Sequence, residues 1–404
     1  MIELNQNTVA LLDRALEKYE THFGESISAS LILSPASILL IGDHTQNNDG
    51  ILITAAIDSF AAAILEKRKD RNFALIIDGV SFTEQIQNFE NADISPDPFE
   101  RIIINLIRII KTENLIPNGF NCCIETNIPH SVGHGKISAI LVSILKGINK
   151  EFHISLTDEQ IKKYAYKSEV IAIGKLANIG FIDASLNAKS GKIIANDLRL
   201  SPSKNYTVKN ENIIAAICDT EIPISKFSTL CEERVTECEI GIKGLRLYIW
   251  GIKNLRDVEI SFLNRHSYTV PKKVFGKCKF TIEEIQRAEE SMKGLRKGEV
   301  DNLGNSMFES HIGLREEYQI NSDETDLLVS TAKKIPGVYG SKIVSCSTIK
   351  TTVTLLDENS QADFEKKIKE EYFNKFGKDV TLYFYKLTDG AKRILKKELN
   401  EAQL

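Results

Sequence analysis

Residues 40–57 read LIGDHTQNNDGILITAAI: an apolar run stops at Gly42, a polar turn runs from Asp43 to Asp49, and the apolar pattern resumes after Gly50. Working outward, the runs SASLILSP, SILLIG, ILITAAID, AAAILEK and NFALIIDG are short, rich in Ile, Leu and Ala, and separated by Gly, Asp and Asn. That pattern predicts strands, and so a sheet-forming N-terminal half. A doubly wound α/β fold needs a crossover helix between most strands, and the spacing here leaves no room for one. The expected fold class is therefore α+β, with a mixed sheet in the first half.

Val9, Leu12, Ala15, Leu16 and Tyr19 recur at helical spacing ahead of these strands. Ile137, Ile140, Leu141, Ile144, Leu145 and Ile148 form a one-faced helix directly after the glycine-bearing turn SVGHG. A junction is expected near Pro202, which divides the chain into an N-terminal domain, 1–203, and a C-terminal domain, 204–404, with a cleft between them. The last residues are expected to pack back on the first domain. In the second half, Thr281 and Glu284 have the spacing of a capping box ahead of Ile285. The runs GSKIVSCSTIKTTVTLL and DVTLYFYKL flank a helical segment, ADFEKKIKEEYFNKFGK, in the order of a split βαβ unit.

With 404 residues the chain can bury two cores. Its net charge of −4 gives no reason to expect a nucleic acid as partner. The absence of an apolar run of about 20 residues argues against a membrane span, and the polar start lacks the features of a secretory signal, so the cytoplasm is the expected compartment. Seven cysteines without a CxxC pair point to neither a disulfide framework nor a zinc knuckle. They are expected to act as small buried hydrophobes.

Three segments could carry chemistry. Asp43, His44, Gln46 and Asn48 offer short, directed donors and acceptors of the kind that grip sugar hydroxyls, although such residues also bond their own backbone in Asx turns. Gly133, Gly135 and Lys136, in GHGK, precede a helix whose free N–H groups favour a phosphate; a tight turn with a solvated lysine is the plainer reading. The Walker A pattern fails there, because His130 and Ile137 stand where glycine and Ser or Thr are required. Asp183, after NIGFI, is a candidate base. His130 and His134 lack a third ligand at a recognisable spacing, so no metal site is expected.

Taken in order, these segments resemble the galactokinase family of the GHMP small-molecule kinase superfamily, over about Ser34 to Tyr385. LIGDHTQNNDG is similar to the family's first motif, LIGEHTDYNDG. LGNSMFESHIGLREEYQINSDETDLLV and PGVYGSK follow the segment before its third motif. The resemblance implies transfer of a phosphoryl group from ATP to the anomeric hydroxyl of galactose, and sets the expected architecture as a two-domain GHMP-kinase-like fold.

The motifs that the resemblance assigns to that reaction are degenerate. The family's catalytic arginine, from PGR, matches Ser37. Its sugar-binding Glu, His and Asp match Asp43, His44 and Gln46, and a tyrosine of its YNxRRxEC segment matches Cys231 of CEERVTEC. The phosphate loop PxGxGLSSSAA reads PHSVGHGKISA, with Gly135, Lys136 and Ile137 in the serine positions. GGGFGGC reads SCSTIKT, and IMD reads FID, which keeps the base as Asp183. Losing one strong donor to a transferring phosphoryl costs about 2.7 to 4 kcal/mol of transition-state stabilisation. The resulting expectation is a homologue with lost or strongly reduced kinase activity that binds a small sugar or sugar phosphate at Asp43, His44, Gln46 and Asp183, with no cofactor required. Two alternatives stand beside it: an active sugar kinase using ATP and magnesium, and a non-catalytic subunit with a protein partner. From 345 to 351 an ordinary strand and turn is expected, with Thr348 and Ile349 at negative φ.

Overall fold

The computed structural model describes residues 4–25, 28–85, 97–224, 227–345 and 347–402. Helix α1 (Gln6–Phe23) is capped by Asn5, whose side chain accepts from the Thr8 N–H. Strands β1 (Ser30–Ile41) and β2 (Ile51–Lys67) then form a long antiparallel ladder. Four of the runs read as separate strands are thus two continuous ones. The register shifts at Pro35/Ala36, where Pro35 pairs with Phe60 and Ala36 with Ile57. Asp58 and Ser59 are the surplus residues of a bulge opposite a proline that has no N–H to donate, and the bulge lets both strands continue.

Side chains alternate along this ladder. Leu31, Leu33, Phe60, Ala62 and Ile64 face α1 with Leu12, Ala15 and Tyr19, while Ile32, Ala61, Ala63 and Leu65 join the main core. That core includes α2 (Pro98–Thr112) and α3 (His134–Glu151). The sheet is completed by β3 (Asn72–Ile77), β4 (Val80–Gln85), β5 (Phe120–Thr126), β6 (Lys192–Asp197) and β7 (Leu200–Thr207). β3 and β5 are parallel, and every other pairing in it is antiparallel. Position 203 lies inside β7, which pairs with β6. Helices α4 (Asp158–Ile173) and α5 (Ile179–Asn187) pack beside α3.

The second sheet has the order β11–β8–β10–β9, all antiparallel, from β8 (Ile213–Pro223), β9 (Val338–Ile343), β10 (Ile349–Asp357) and β11 (Thr381–Lys386). Between β8 and β9 come α6 (Phe227–Leu245), α7 (Ile260–Arg265), α8 (Lys272–Leu295), α9 (Asp301–Gly313) and α10 (Asp323–Ala332). α11 (Gln361–Phe376) links β10 to β11. This is the split βαβ order with a helical insertion. β12 (Lys392–Ile394) pairs with β1, and α12 (Lys396–Ala402) follows it.

One helix start differs from the sequence reading. α8 begins at Lys272 after Pro271, so Thr281 and Glu284 lie in mid-helix and form no capping box. Thr281 bonds the Lys277 carbonyl within the helix, which frees Glu284 to reach the first sheet. In the 345–351 segment, neither Thr348 nor Ile349 has a positive φ, and β10 begins at Ile349; Cys346 lies outside the described residues.

Candidate functional site

The turn between β1 and β2 is fixed from several directions. Gly42 has φ +107°, and a Cβ there would stand 2.2 Å from the Ile51 carbonyl oxygen, so only glycine fits. Glu284 Oε1 accepts from the Gly42 and Asp43 N–H groups at 2.9 and 3.2 Å. Its fully buried carboxylate also accepts from Ser310 and from Arg287. On the far side Asn48 Oδ1 accepts from the Leu255 N–H, and Asn254 donates to Asp49. Gln46 and Asn47 donate to the Lys175 carbonyl.

Asp43 is buried, and both carboxylate oxygens are engaged. Lys342 Nζ of β9 lies 2.6 Å from Oδ2, and the Ser345 hydroxyl donates to Oδ1. Lys342 is itself fully buried. A buried pair of this kind is stable only as a pair, because removing either partner strands a charge in a low dielectric.

His44 adopts φ +58° and stacks on the Tyr318 ring, with centroids 4.6 Å apart. Burial, reinforced by the nearby Lys342 charge, depresses its pKa to about 3, so the imidazole is neutral near pH 7. Its Nε2 is buried without a hydrogen-bond partner. A cavity of about 30 Å³ on one side of the ring is lined by Gln46, His134, Cys231 and Ser345 among others. That is room for one or two water molecules, not for a hexose. A second cavity, of about 300 Å³, also reaches His44.

The sequence-derived phosphate residues have other duties here. A Cβ at Gly135 would lie 1.8 Å from the Ser37 carbonyl oxygen, so this glycine is where the first turn of α3 crosses β1. Lys136 is ion-paired at 2.9 Å to Asp78, which also accepts from Thr126. Asp78 and Gly79, both at positive φ, make the two-residue turn between β3 and β4. Gly133 has φ +65° and ends the short helical turn before α3. Ile137 packs on the core. Gly135, Lys136 and Ile137 therefore offer no side-chain hydroxyl, and the Lys136 ammonium is already paired with a carboxylate.

Asp183 is fully buried in the middle of α5. Its Oδ1 accepts from Lys162 at 3.1 Å and from Asn187 at 2.9 Å, while Oδ2 has no hydrogen-bond partner. It lines neither cavity at His44. Of the four sugar-site candidates, His44 and Gln46 thus share a cavity, and Asp43 reaches it through Ser345. The residues that matter most and were not singled out are Lys342 and Lys162. A lysine between Ser341 and Ile343 in a strand-like run was the available signal for the first; Lys162, on a polar helix face, gave none.

Two family models match the chain: the galactokinase galactose-binding signature over residues 17–67, and the GHMP kinases N terminal domain over residues 101–187. The galactokinase of Roseiflexus sp. (strain RS-1) is 24% identical over 94% of this chain and 96% of its own length. The galactokinase of Homo sapiens is 25% identical over 97% and 99%. Among solved structures, Lactococcus lactis galactokinase complexed with galactose superposes with a TM-score of 0.85 at 19% identity, over 95% of this chain and all of that one. Methanococcus jannaschii mevalonate kinase gives a TM-score of 0.61 at 18% identity, over 90% and 100%. With the fold, the signature around the 42–50 turn and these relatives along nearly its whole length, the chain is a galactokinase-like protein of the GHMP kinase superfamily.

Proposed function

We propose that this protein is a galactokinase homologue that has lost phosphoryl transfer from ATP to galactose and keeps the fold for recognition of a small sugar derivative. The observation that carries the reading is the buried Lys342–Asp43 ion pair, capped by Ser345. It commits the carboxylate that would hold a sugar hydroxyl and leaves about 30 Å³ beside Gln46. The remaining residues support the same reading. Ser37 cannot supply the charge of an arginine, Lys136 is spent on Asp78, and Asp183, the retained candidate base, is tied to Lys162.

The test is calorimetric titration with ATP and magnesium, then with galactose, together with a coupled assay for ADP release. The expected result is no magnesium-dependent nucleotide binding at millimolar ATP and no galactose-dependent ADP. Micromolar ATP binding with turnover on galactose or a related sugar would instead establish an active kinase.

A further inference from the structure

The larger cavity at His44 lies between the 42–50 turn and α6, lined by His44, Asn47 and Asn48 on one side and Val235, Cys238 and Ile242 on the other. Its volume is about 300 Å³, the lower end of the range for small-molecule sites. Val235 and Ile242, beside the buried Tyr318, give it an apolar wall. His44, Asn47 and Asn48 are the neutral polar residues of its lining.

The charges are unbalanced. Lys243, Arg246 and Lys253 line the cavity, and none has a carboxylate partner among the described residues. Arg246 donates to the Ile252 and Lys253 carbonyls, which leaves its charge uncompensated. Glu239, the one carboxylate in the lining, is ion-paired to Lys175. An apolar wall, neutral polar groups and uncompensated cations around a monosaccharide-sized space select an anion that is also a polyol.

We propose that this cavity, on the α6 side of the 42–50 turn, binds a hexose derivative carrying one phosphate or carboxylate. The inference draws on the loss-of-activity reading in one respect only: with the small cavity closed, the hexose is assigned to this side of His44. The loop whose ends, Arg246 and Lys253, flank the cavity carries at its tip Trp250, the single tryptophan of the chain, almost wholly exposed. Occupancy is therefore readable in the fluorescence of one residue.

Full-length protein at low ionic strength is titrated with galactose 1-phosphate, glucose 6-phosphate and glucuronate, and in parallel with free galactose and inorganic phosphate, following Trp250 emission and heat. The expected result is saturable binding of at least one anionic hexose, with free galactose and inorganic phosphate each weaker by about tenfold or more. The phosphate and carboxylate arms decide which anion is read. Lys243→Glu/Lys253→Glu should weaken it by at least about tenfold, while the remote, exposed pair Lys204→Glu/Lys209→Glu, which changes net charge equally, should not. No saturable signal from any anionic hexose up to about 10 mM overturns the proposal, whatever the kinase assay gives. So does inorganic phosphate binding as tightly as the hexose derivatives, or binding indifferent to Lys243 and Lys253. Kinase turnover accompanied by anionic-hexose binding at these lysines would sink the loss-of-activity reading and leave this site standing.

Discussion

Lys342 Nζ and Asp43 Oδ2 are 2.6 Å apart with both side chains buried, so a strand of the small sheet is joined by charge to the first turn of the large one. Lys342→Met leaves Asp43 without its counter-charge and should cost about 3–5 kcal/mol of stability. Adding Asp43→Leu removes the stranded carboxylate and should recover most of that loss. Urea unfolding of the two variants measures this directly; equal destabilisation in both would show that the pair is not coupled.

Glu284 holds the same turn from the other side. Glu284→Ala deprives the Gly42 and Asp43 N–H groups of their acceptor and leaves Arg287 without its nearest carboxylate. A loss of about 3 kcal/mol or more is expected, with faster amide exchange at Gly42 and Asp43 than at residues deep in β2. Glu284→Gln, which keeps an acceptor oxygen, should fall between the two. Unaltered exchange at Gly42 would mean that the turn is self-supporting.

How much of this could be read from the sequence differs by element. Short runs rich in Ile, Leu and Ala identified the strand-forming stretches from Ser30 to Lys67, but Pro35 and the Asp58–Ser59 pair looked like chain breaks; a bulge is a property of two strands in register, and neither strand carries it alone. The 42–50 turn was recognisable as a site, yet its partners Glu284 and Lys342 lie hundreds of residues away. Glu284 was visible only as half of a capping box, because local spacing has no term for a carboxylate that leaves its own helix. Gly135 read as a phosphate-loop glycine, whereas its reason for being glycine is the carbonyl of Ser37.

Glu169 gives a pH signature. Burial raises its carboxyl from 4.5 to about 8, opposed by a bond from the Asn178 N–H. The folded state thus holds this proton more tightly than the unfolded one, so stability is full below pH 4.5 and is lost as the pH rises to about 8. Glu169→Gln, neutral throughout, should lack that loss, and its advantage over the parent should grow across the window to a few kcal/mol. His44 and His134 titrate in both proteins, so the difference curve isolates Glu169. Parallel stability curves from pH 5 to about 8.5 would refute the assignment.

The last prediction concerns introducing the family's motif residues at Ser37 and Gly135. Ser37 is fully buried, and its hydroxyl donates to the Phe181 carbonyl at 2.9 Å. The same residue's carbonyl is what a Cβ at Gly135 would strike. β1 and α3 are therefore in close contact at the positions that the resemblance matches to the family's arginine and first loop serine. Ser37→Arg must fit a guanidinium into a fully packed position or push the helix away, and Gly135→Ser meets backbone that cannot yield cheaply. Each change should destabilise the protein and lower its melting temperature, Gly135→Ser costing roughly 1–3 kcal/mol or more and Ser37→Arg at least as much, and the double variant should show no galactose-dependent ADP release. A Ser37→Arg protein that melts with the parent and phosphorylates galactose would mean that the closed contact opens readily, and that the missing arginine alone separates this chain from an active kinase.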